Sequence, residues 1–393
     1  MIATLLVVSN GHGEDAIGAR VAAEVVAQGG AGRVLAMPLV GAGLAYECVA
    51  AEVLGPRRRL PSDGLTLHHP LLAWRDLRAG LLRMTMRQVS VLRSCCVDAV
   101  LVVGDVYAQA MAALVRAPRV VVQPLVSVRL AEAGATVALH RTFMERIRAP
   151  ERALMRRGAV RVYTRDDVTA AWLRSHGVAH AVFLGNPMMD GLAGTPLPTV
   201  PGARVVALLP GTRGYADASA RRMVEAVARI GSVHALVAWT HEPPPVMDGW
   251  LDAPGEHDGV VAAWTQGGTT VWWVRNRFAD VLRSADAVIG TSGTAQEQAA
   301  GLGLPVVAFA VPPSYSEAFL ANQARMLGEA LRIVPNDAEA IATAVRDALA
   351  GGAHHQGAQT VGPARMGPPG GTARIAADLI RTLSAAPVSG SRR

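Results

Sequence analysis

Between Ala287 and Phe309 the chain reads AVIGTSGTAQEQAAGLGLPVVAF, and this order of residue types leaves little freedom of fold. An apolar run, Ala287 to Ile289, meets a turn of small residues, Gly290 to Thr294. An alanine-rich helix follows, closed by Gly301 and Gly303 before Pro305 opens a second apolar run. Strand, glycine turn, helix start and strand is the layout in which backbone N–H groups and a helix dipole face an anion. The turn is therefore expected to hold a phosphate group, such as the diphosphate of a nucleotide-activated substrate.

The same unit recurs from the N-terminus. TLLVVS at 4 to 9 reads as a buried strand, Asn10 to Asp15 as the loop after it, and a helix is expected from Ala16 to about Ala27. GHGEDAIG does not match G-x-G-x-x-G, which argues against a nicotinamide cofactor. In open α/β sheets the C-terminal ends of the strands form the ligand-facing edge. Glu14 and Asp15 there either cap the helix or take part in catalysis, whereas His12, between two glycines, has less structural reason for its place. Ala99 to Val103 is another buried strand, and Asp105 just past it is either the cap of a helix beginning near Gln109 or a catalytic carboxylate.

Further strands are expected at 34 to 37, 120 to 123, 161 to 164 and 182 to 184, with Asp166 and Asp167 capping a helix that runs to Gly177. The segment GLAGTPLPTVPGA has linker composition, and at 393 residues the chain is too long for one core, so two α/β domains are expected, 1–190 and 191–393. In the second, Arg204 to Leu209 is a strand followed by PGTRG at 210 to 214. Strands at 234 to 239 and 271 to 274 enclose a Pro-rich insert expected to be irregular, and its HEPPP run excludes a helical HExxH zinc motif. Residues 351 to 371 read as a Gly/Pro-rich loop, 372 to 383 as a final helix, and the tail after 384 as disordered.

Composition narrows the chemistry. All 38 basic residues are arginine, against 31 acidic ones. That excludes mechanisms requiring lysine, including Walker-type phosphate loops and Schiff bases, and leaves guanidinium groups suited to bidentate phosphate recognition. Three cysteines show neither metal-ligand nor disulfide spacing, so a cytoplasmic protein without metal or cofactor is expected. No apolar run is long enough to span a bilayer, and the N-terminus lacks the plan of a secretory signal. Residues 71 to 92 form a basic amphipathic pattern interrupted at Gly80. It is either a core-covering helix with a wet face or a peripheral contact, through 71–93, with the anionic inner face of a membrane. With 4% aromatic residues and no known module, nucleic acid is not expected as a partner.

PGTRG and GTSGT would point the same way in a parallel sheet, so their loops could converge on one ligand. LLPGTRG, ADAVIGTSGTAQEQAAGLGLPVV, SNGHGED near the start and FLGNPMMD at 183 to 190 together resemble the lipid-A-disaccharide synthase-related family, over residues 4 to about 330. The resemblance implies two Rossmann-like domains facing each other across a cleft (GT-B). It also implies metal-independent, inverting transfer from a nucleotide-sugar, UDP-linked, to a lipid or glycolipid acceptor on the N-terminal domain. By position it places Asn10, Gly11, Gly13 and Asp15 in the acceptor loop, and Asp105, His12 and Glu14 as catalytic candidates, with Asp105 or His12 the base. Donor binding falls to Gly211, Thr212 and Arg213 with Ser292, Gly293 and Thr294. Where the family has a ribose-associated glutamate, seven residues before Pro305, this chain has Gln298, beside Glu297; an amide can still bond a ribose hydroxyl. Two other functions fit the same layout: a UDP-sugar 2-epimerase, and a non-catalytic, membrane-associated nucleotide or lipid binder.

Overall fold

The computed structural model describes residues 1–56, 74, 75, 77–130, 146–312 and 315–385. The chain divides into two compact units, Met1–Met188 with Pro369–Arg393, and Met189–Pro368.

The first unit runs β1 (Ile2–Ser9), α1 (His12–Ala27), β2 (Ala31–Pro38), β3 (Glu52–Val53), α2 (Leu81–Ser94), β4 (Ala99–Val103), α3 (Val106–Ala112), β5 (Arg119–Gln123), α4 (Ala149–Gly158), β6 (Ala159–Thr164), α5 (Asp167–Ser175) and β7 (Ala181–Val182). Its sheet has the order β3-β2-β1-β4-β5-β6-β7, and all its pairings are parallel. Both faces are covered, so the strands are continuous apolar runs whose side chains alternate between two cores. Leu5, Val7, Leu101 and Val103 pack in one core with Ile17 and Val21 of α1, whereas Leu6, Val8, Val100 and Val102 pack in the other with Leu92 of α2.

The second unit continues β8 (Arg204–Leu209), α6 (Ala216–Ile230), β9 (Val233–Ala238), β10 (Leu251–Asp252), β11 (Val260–Gln266), β12 (Thr269–Val274), α7 (Phe278–Ser284), β13 (Ala287–Gly290), α8 (Gly293–Gly301), β14 (Val306–Ala308), α9 (Glu317–Leu327), β15 (Leu331–Ile333), α10 (Ala338–Leu349) and α11 (Ala353–Met366). Its sheet order is β10-β11-β12-β9-β8-β13-β14-β15. Only the β10–β11 and β11–β12 pairings among the described residues are antiparallel. The insert expected to be irregular thus supplies two strands, with Gly267 and Gly268 at positive φ forming the turn from β11 into β12.

Several expectations are corrected. Helix α1 opens at His12 and α3 at Val106, earlier than the sequence suggested, so His12, Glu14 and Asp15 are first-turn helical residues. Residues 353 to 366 are helical, not loop, with Pro363 inside the helix. Their glycines serve packing: a Cβ on Gly362 would lie 2.0 Å from the carbonyl oxygen of Ala300 in α8. The last helix, α12 (Gly371–Ala385), returns to the first unit rather than completing 191–393. Its Ile375, Ala376, Leu379 and Leu383 form an apolar stripe in the α1 core, and Asp378 pairs with Arg161 and Arg381 at 2.9 Å each and accepts from the Tyr163 hydroxyl at 3.1 Å. The tail after 385 and residues 71–73 and 76 of the basic stretch lie outside the described residues. Among the described residues no helix is long and apolar enough to cross a membrane.

Candidate active site

In the first unit the chain leaves β1 at Ser9 and turns at Gly11, whose φ of 142° is open to glycine and strained for other residues. Gly11 is the N-cap of α1 and offers no side chain to the helix. Neither acid takes the N-cap position. Glu14 folds back over Gly11, its Oε2 2.9 Å from where a Cβ on that residue would sit. Asp15 accepts from the Ser9 hydroxyl at 2.5 Å, and Ser9 in turn lies 2.7 Å from the Tyr46 hydroxyl. With its one proton committed to Asp15, Ser9 accepts from Tyr46, so the order is Tyr46 to Ser9 to Asp15. Gly18 leaves room for this chain, since a Cβ there would lie 2.6 Å from the Tyr46 oxygen.

Asp105 stands at the end of β4, the strand beside β1. It is the N-cap of α3, and one oxygen, Oδ1, takes all three donors: the backbone N–H of Tyr107 at 3.0 Å, that of Ala108 at 3.3 Å and the amide of Asn10 at 3.0 Å. Oδ2 has no partner among the described residues and is not sealed from solvent. Asn10 is thereby committed to orienting Asp105. His12 is exposed, and its ring lies beside Gly41 and makes no hydrogen bond among the described residues.

Two strands along lies a carboxylate that the sequence did not flag. Glu151, at the start of α4 and 2% exposed, accepts on Oε1 from Gln109 at 2.9 Å and from Gln123 at 2.7 Å. Gln123 ends β5 as Ser9 ends β1, so the strand-end rule that selected Asp105 also reaches it. Glu151 itself carried no such signal.

These carboxyls repel and desolvate one another. Burial foremost, with the charges of Asp105 and Asp15, pushes Glu14 up to about 8, against a bond from its own backbone N–H. Glu151 rises to about 7 through burial and the Asp105 charge, against the Gln123 and Gln109 bonds. Asp15 rises to about 6 through burial despite Ser9, and Asp105 is raised by burial against hydrogen bonds from Ala108, Tyr107, Asn10 and its own backbone N–H. At neutral pH one unit edge therefore holds carboxyls in both protonation states. Among the described residues no group of three or more His, Cys, Asp or Glu is placed to hold a metal ion.

A stability effect follows. Between the ordinary value of 4.5 and about 8, folded Glu14 keeps a proton that the unfolded chain has released. Stability from this group is complete below the lower value and is lost as pH rises through the upper one, by up to about 1.4 kcal/mol per pH unit. Glu14→Gln should flatten the fall in melting temperature between about pH 5 and about pH 8. Parallel profiles for variant and parent would mean that Glu14 titrates as an ordinary carboxylate.

In the second unit β8 and β13 are parallel neighbours, which sets the turns after them side by side. Thr291 donates its hydroxyl to the Pro210 carbonyl at 3.1 Å, and Tyr215 donates to the Thr291 carbonyl at 3.1 Å. Gly211, at φ 87°, faces Ser292, whose Cβ is 3.4 Å from the place of a Gly211 Cβ. PGTRG and GTSGT thus meet, as their parallel placement suggested. Helix α8 begins beneath them with Ser292 as an N-cap that makes no side-chain bond, and its first-turn N–H groups, at Gly293 and Thr294, lack intrahelical partners. Thr212 and Arg213 are exposed, and the Arg213 guanidinium makes no ion pair or hydrogen bond among the described residues, its backbone carbonyl accepting from the Ala216 N–H at 2.8 Å. Gln298 is half-buried, whereas Glu297 is buried and accepts from Gln323 of α9 at 3.2 Å. Gln296, unremarked in the sequence, locks the turn by donating to the Gly290 carbonyl at 2.5 Å and accepting from Tyr315 at 2.6 Å.

No protein-family model matches the chain, and no curated protein matches its sequence. Solved structures do. The calicheamicin glycosyltransferase CalG4 is similar over 98% of this chain and 99% of its own, with 15% identity and a TM-score of 0.64. Arabidopsis thaliana UGT89C1 complexed with UDP is similar over 98% and 100%, with 12% identity and a TM-score of 0.60. UDP-GlcNAc 2-epimerase from Neisseria meningitidis bound to UDP-GlcNAc is similar over 98% and 100%, with 14% identity and a TM-score of 0.54. The two mainly parallel α/β sheets of this chain are those of the GT-B glycosyltransferase fold, which these proteins share.

Proposed function

We propose that the protein is a metal-independent, inverting glycosyltransferase that uses a UDP-linked sugar, with the donor on the second unit and the acceptor on the first. The observation that carries this reading is the meeting of PGTRG and GTSGT at an N-cap without side-chain capping, with a free arginine on one of the two loops. The helix N-terminus favours a diphosphate by roughly 0.3 to 2 kcal/mol, and Arg213 adds a charge-assisted bond. UDP and UDP-GlcNAc in structures of the same fold agree with it.

In the reaction, the acceptor hydroxyl gives its proton to Asp105 Oδ2 as its oxygen bonds to the anomeric carbon. The bond from that carbon to the diphosphate breaks with its electrons, and UDP leaves with the added negative charge held by the α8 N-terminus and Arg213. Arg213→Ala should cost roughly 1.5 to 3 kcal/mol of UDP affinity, a loss of about 10- to 150-fold in a direct titration. Unchanged affinity would remove Arg213 from the donor site.

A lipid or glycolipid acceptor is supported by the synthase-like motifs and by Trp74, Leu77, Leu82 and Met86, all exposed among Arg75, Arg78, Arg83 and Arg87, which suit an anionic membrane surface. The carboxyls of the first unit also fit a second reading, a UDP-sugar 2-epimerase, because carboxyls in both protonation states can remove and return a carbon-bound proton. Incubation with UDP-GlcNAc alone in deuterated water separates the two. UDP-ManNAc with solvent deuterium at C2 means epimerase, and an unlabelled donor removes the epimerase reading.

A further inference from the structure

We infer that Glu151 is a positioning residue for Asp105: the ring of hydrogen bonds it closes fixes the Gly104–Asp105 turn and, with it, the direction of the Asp105 Oδ2. The inference rests on the reading of Asp105 as the base.

The turn needs holding from outside. Gly104, at φ 137°, has a conformation open to glycine, and no side chain restricts the backbone just before Asp105. Helix α3, which Asp105 caps, has only seven residues and is too short to be stable by itself. The backbone N–H groups of Tyr107 and Ala108 tie Asp105 Oδ1 to that helix. Any tilt of α3 therefore carries the carboxylate with it.

Gly104 donates its N–H to the Val122 carbonyl of β5 at 3.0 Å, and its own carbonyl accepts from the Gln109 amide at 3.4 Å. The same amide nitrogen donates to Glu151 Oε1 at 2.9 Å, and Gln123, next to Val122, donates to that oxygen at 2.7 Å. The ring thus runs from Gly104 through Val122 and Gln123 to Glu151, then through Gln109 back to Gly104. Gln109 also donates its backbone N–H to the Asp105 carbonyl at 3.1 Å. One glutamine therefore holds both residues of the turn, and Glu151 Oε1 is the point that joins α3, β5 and α4. The amide oxygens of Gln109 and Gln123 are buried and without a partner, so no second set of bonds orients these side chains. Glu151, Gln109 and Gln123 are 2%, 3% and 0% exposed. Water cannot readily take the place of a lost carboxyl there, and its removal leaves buried donors unsatisfied. Buried to this extent, Glu151 acts on the reaction through Asp105 and not on the substrate.

The test compares the full chain with Glu151→Ala, Glu151→Gln and Gln109→Leu, each alone and combined with Asp105→Asn. Three quantities are read: UDP release from UDP-GlcNAc with octyl β-glucoside as acceptor probe, UDP affinity, and amide hydrogen exchange at Tyr107 and Ala108. Glu151→Ala and Gln109→Leu should lower turnover by about 10- to 100-fold, as for a displaced catalytic group. UDP affinity should stay at the parental value, and exchange at the two amides should speed up while the amides of the second unit do not change. Glu151→Gln, which keeps an acceptor oxygen, should restore both turnover and exchange. In the Asp105→Asn background neither substitution should slow turnover further, because a residue acting through Asp105 has nothing left to position. Parental turnover in Glu151→Ala, losses that multiply in the double variant, or Glu151→Gln as slow as Glu151→Ala would each overturn the inference. If Glu151→Ala does not fold, Gln109→Leu makes the same comparison from the α3 side. A parent that releases no UDP would remove the transferase reading, and amide exchange would still decide the clamp: faster in the variants upholds it, unchanged overturns it.

Discussion

Asp105→Asn should lower turnover by about 10²- to 10⁴-fold, the range for loss of a general base, while leaving the fold and its melting temperature nearly unchanged. The geometry makes this substitution a clean one. Oδ1 of Asp105 accepts all three of its donors, from Tyr107, Ala108 and Asn10, and an asparagine keeps an acceptor oxygen in that position. What changes is Oδ2, the oxygen with no partner among the described residues, which becomes an amide unable to take a proton. Asp105→Ala is the necessary contrast. It removes the base and the cap together and should add a stability loss of about 1 kcal/mol, within the usual 0.5 to 2 for an N-cap. Losing the Asp105 charge should also let Glu14 ionise more easily, because that charge is among the causes holding Glu14 near 8. Full activity in the asparagine variant would reduce Asp105 to a helix cap. His12, exposed and uncommitted, would then be the remaining base candidate.

How far such a site can be read from sequence depends on whether the signal is local. Strands buried on both faces announce themselves, and Ala99 to Val103 or Arg204 to Leu209 were legible because a parallel sheet leaves no polar alternation to confuse them. Asp105 and Arg213 were legible as residues just beyond such strands. The meeting of Gly211 with Ser292 followed from two parallel neighbours. Glu151 was not legible, because its importance comes from Gln109 and Gln123, 42 and 28 residues away in the chain. The burial of Glu14 and Asp15 is hidden too: the sequence alone reads both as loop before the helix, whereas α1 starts at His12 and draws them inward. The β11–β12 hairpin did carry a local signal, the Gly267–Gly268 pair, but the prolines before it obscured the strand. Helix α12 shows the limit differently. Its apolar stripe was visible as a helix, yet nothing in 372 to 383 says that its partner is α1.

Helix α11 failed for the most instructive reason, and it yields the other large effect. Glycine and proline in 351 to 371 argue for loop on propensity alone, since a helical glycine costs about 1 kcal/mol relative to alanine. Here the absent side chain is worth more than the propensity. Gly362 lies against the backbone of α8, where a Cβ would come 2.0 Å from the Ala300 carbonyl oxygen and 2.8 Å from its carbon. Gly301 repeats the arrangement from the α8 side, where a Cβ would meet Met189 and Met366 at 2.4 and 2.9 Å. Backbone cannot give way as a flexible side chain can, so Gly362→Ala must push the two helices apart. The expected cost is about 1 to 3 kcal/mol or more, as for overpacking of a tight core, read as a lower denaturant midpoint. Gly13→Ala, also on a helix but with nothing within 4 Å of its Cβ position, should instead stabilise by about 0.4 to 1 kcal/mol. The sign difference between two identical chemical changes isolates packing from propensity. Because α8 also carries Ser292 and Gly293 at its start, the displacement should weaken UDP binding together with stability, whereas Gly13→Ala should leave UDP binding alone. A stable Gly362→Ala protein with parental UDP affinity would mean that the two helices do not pack through glycine.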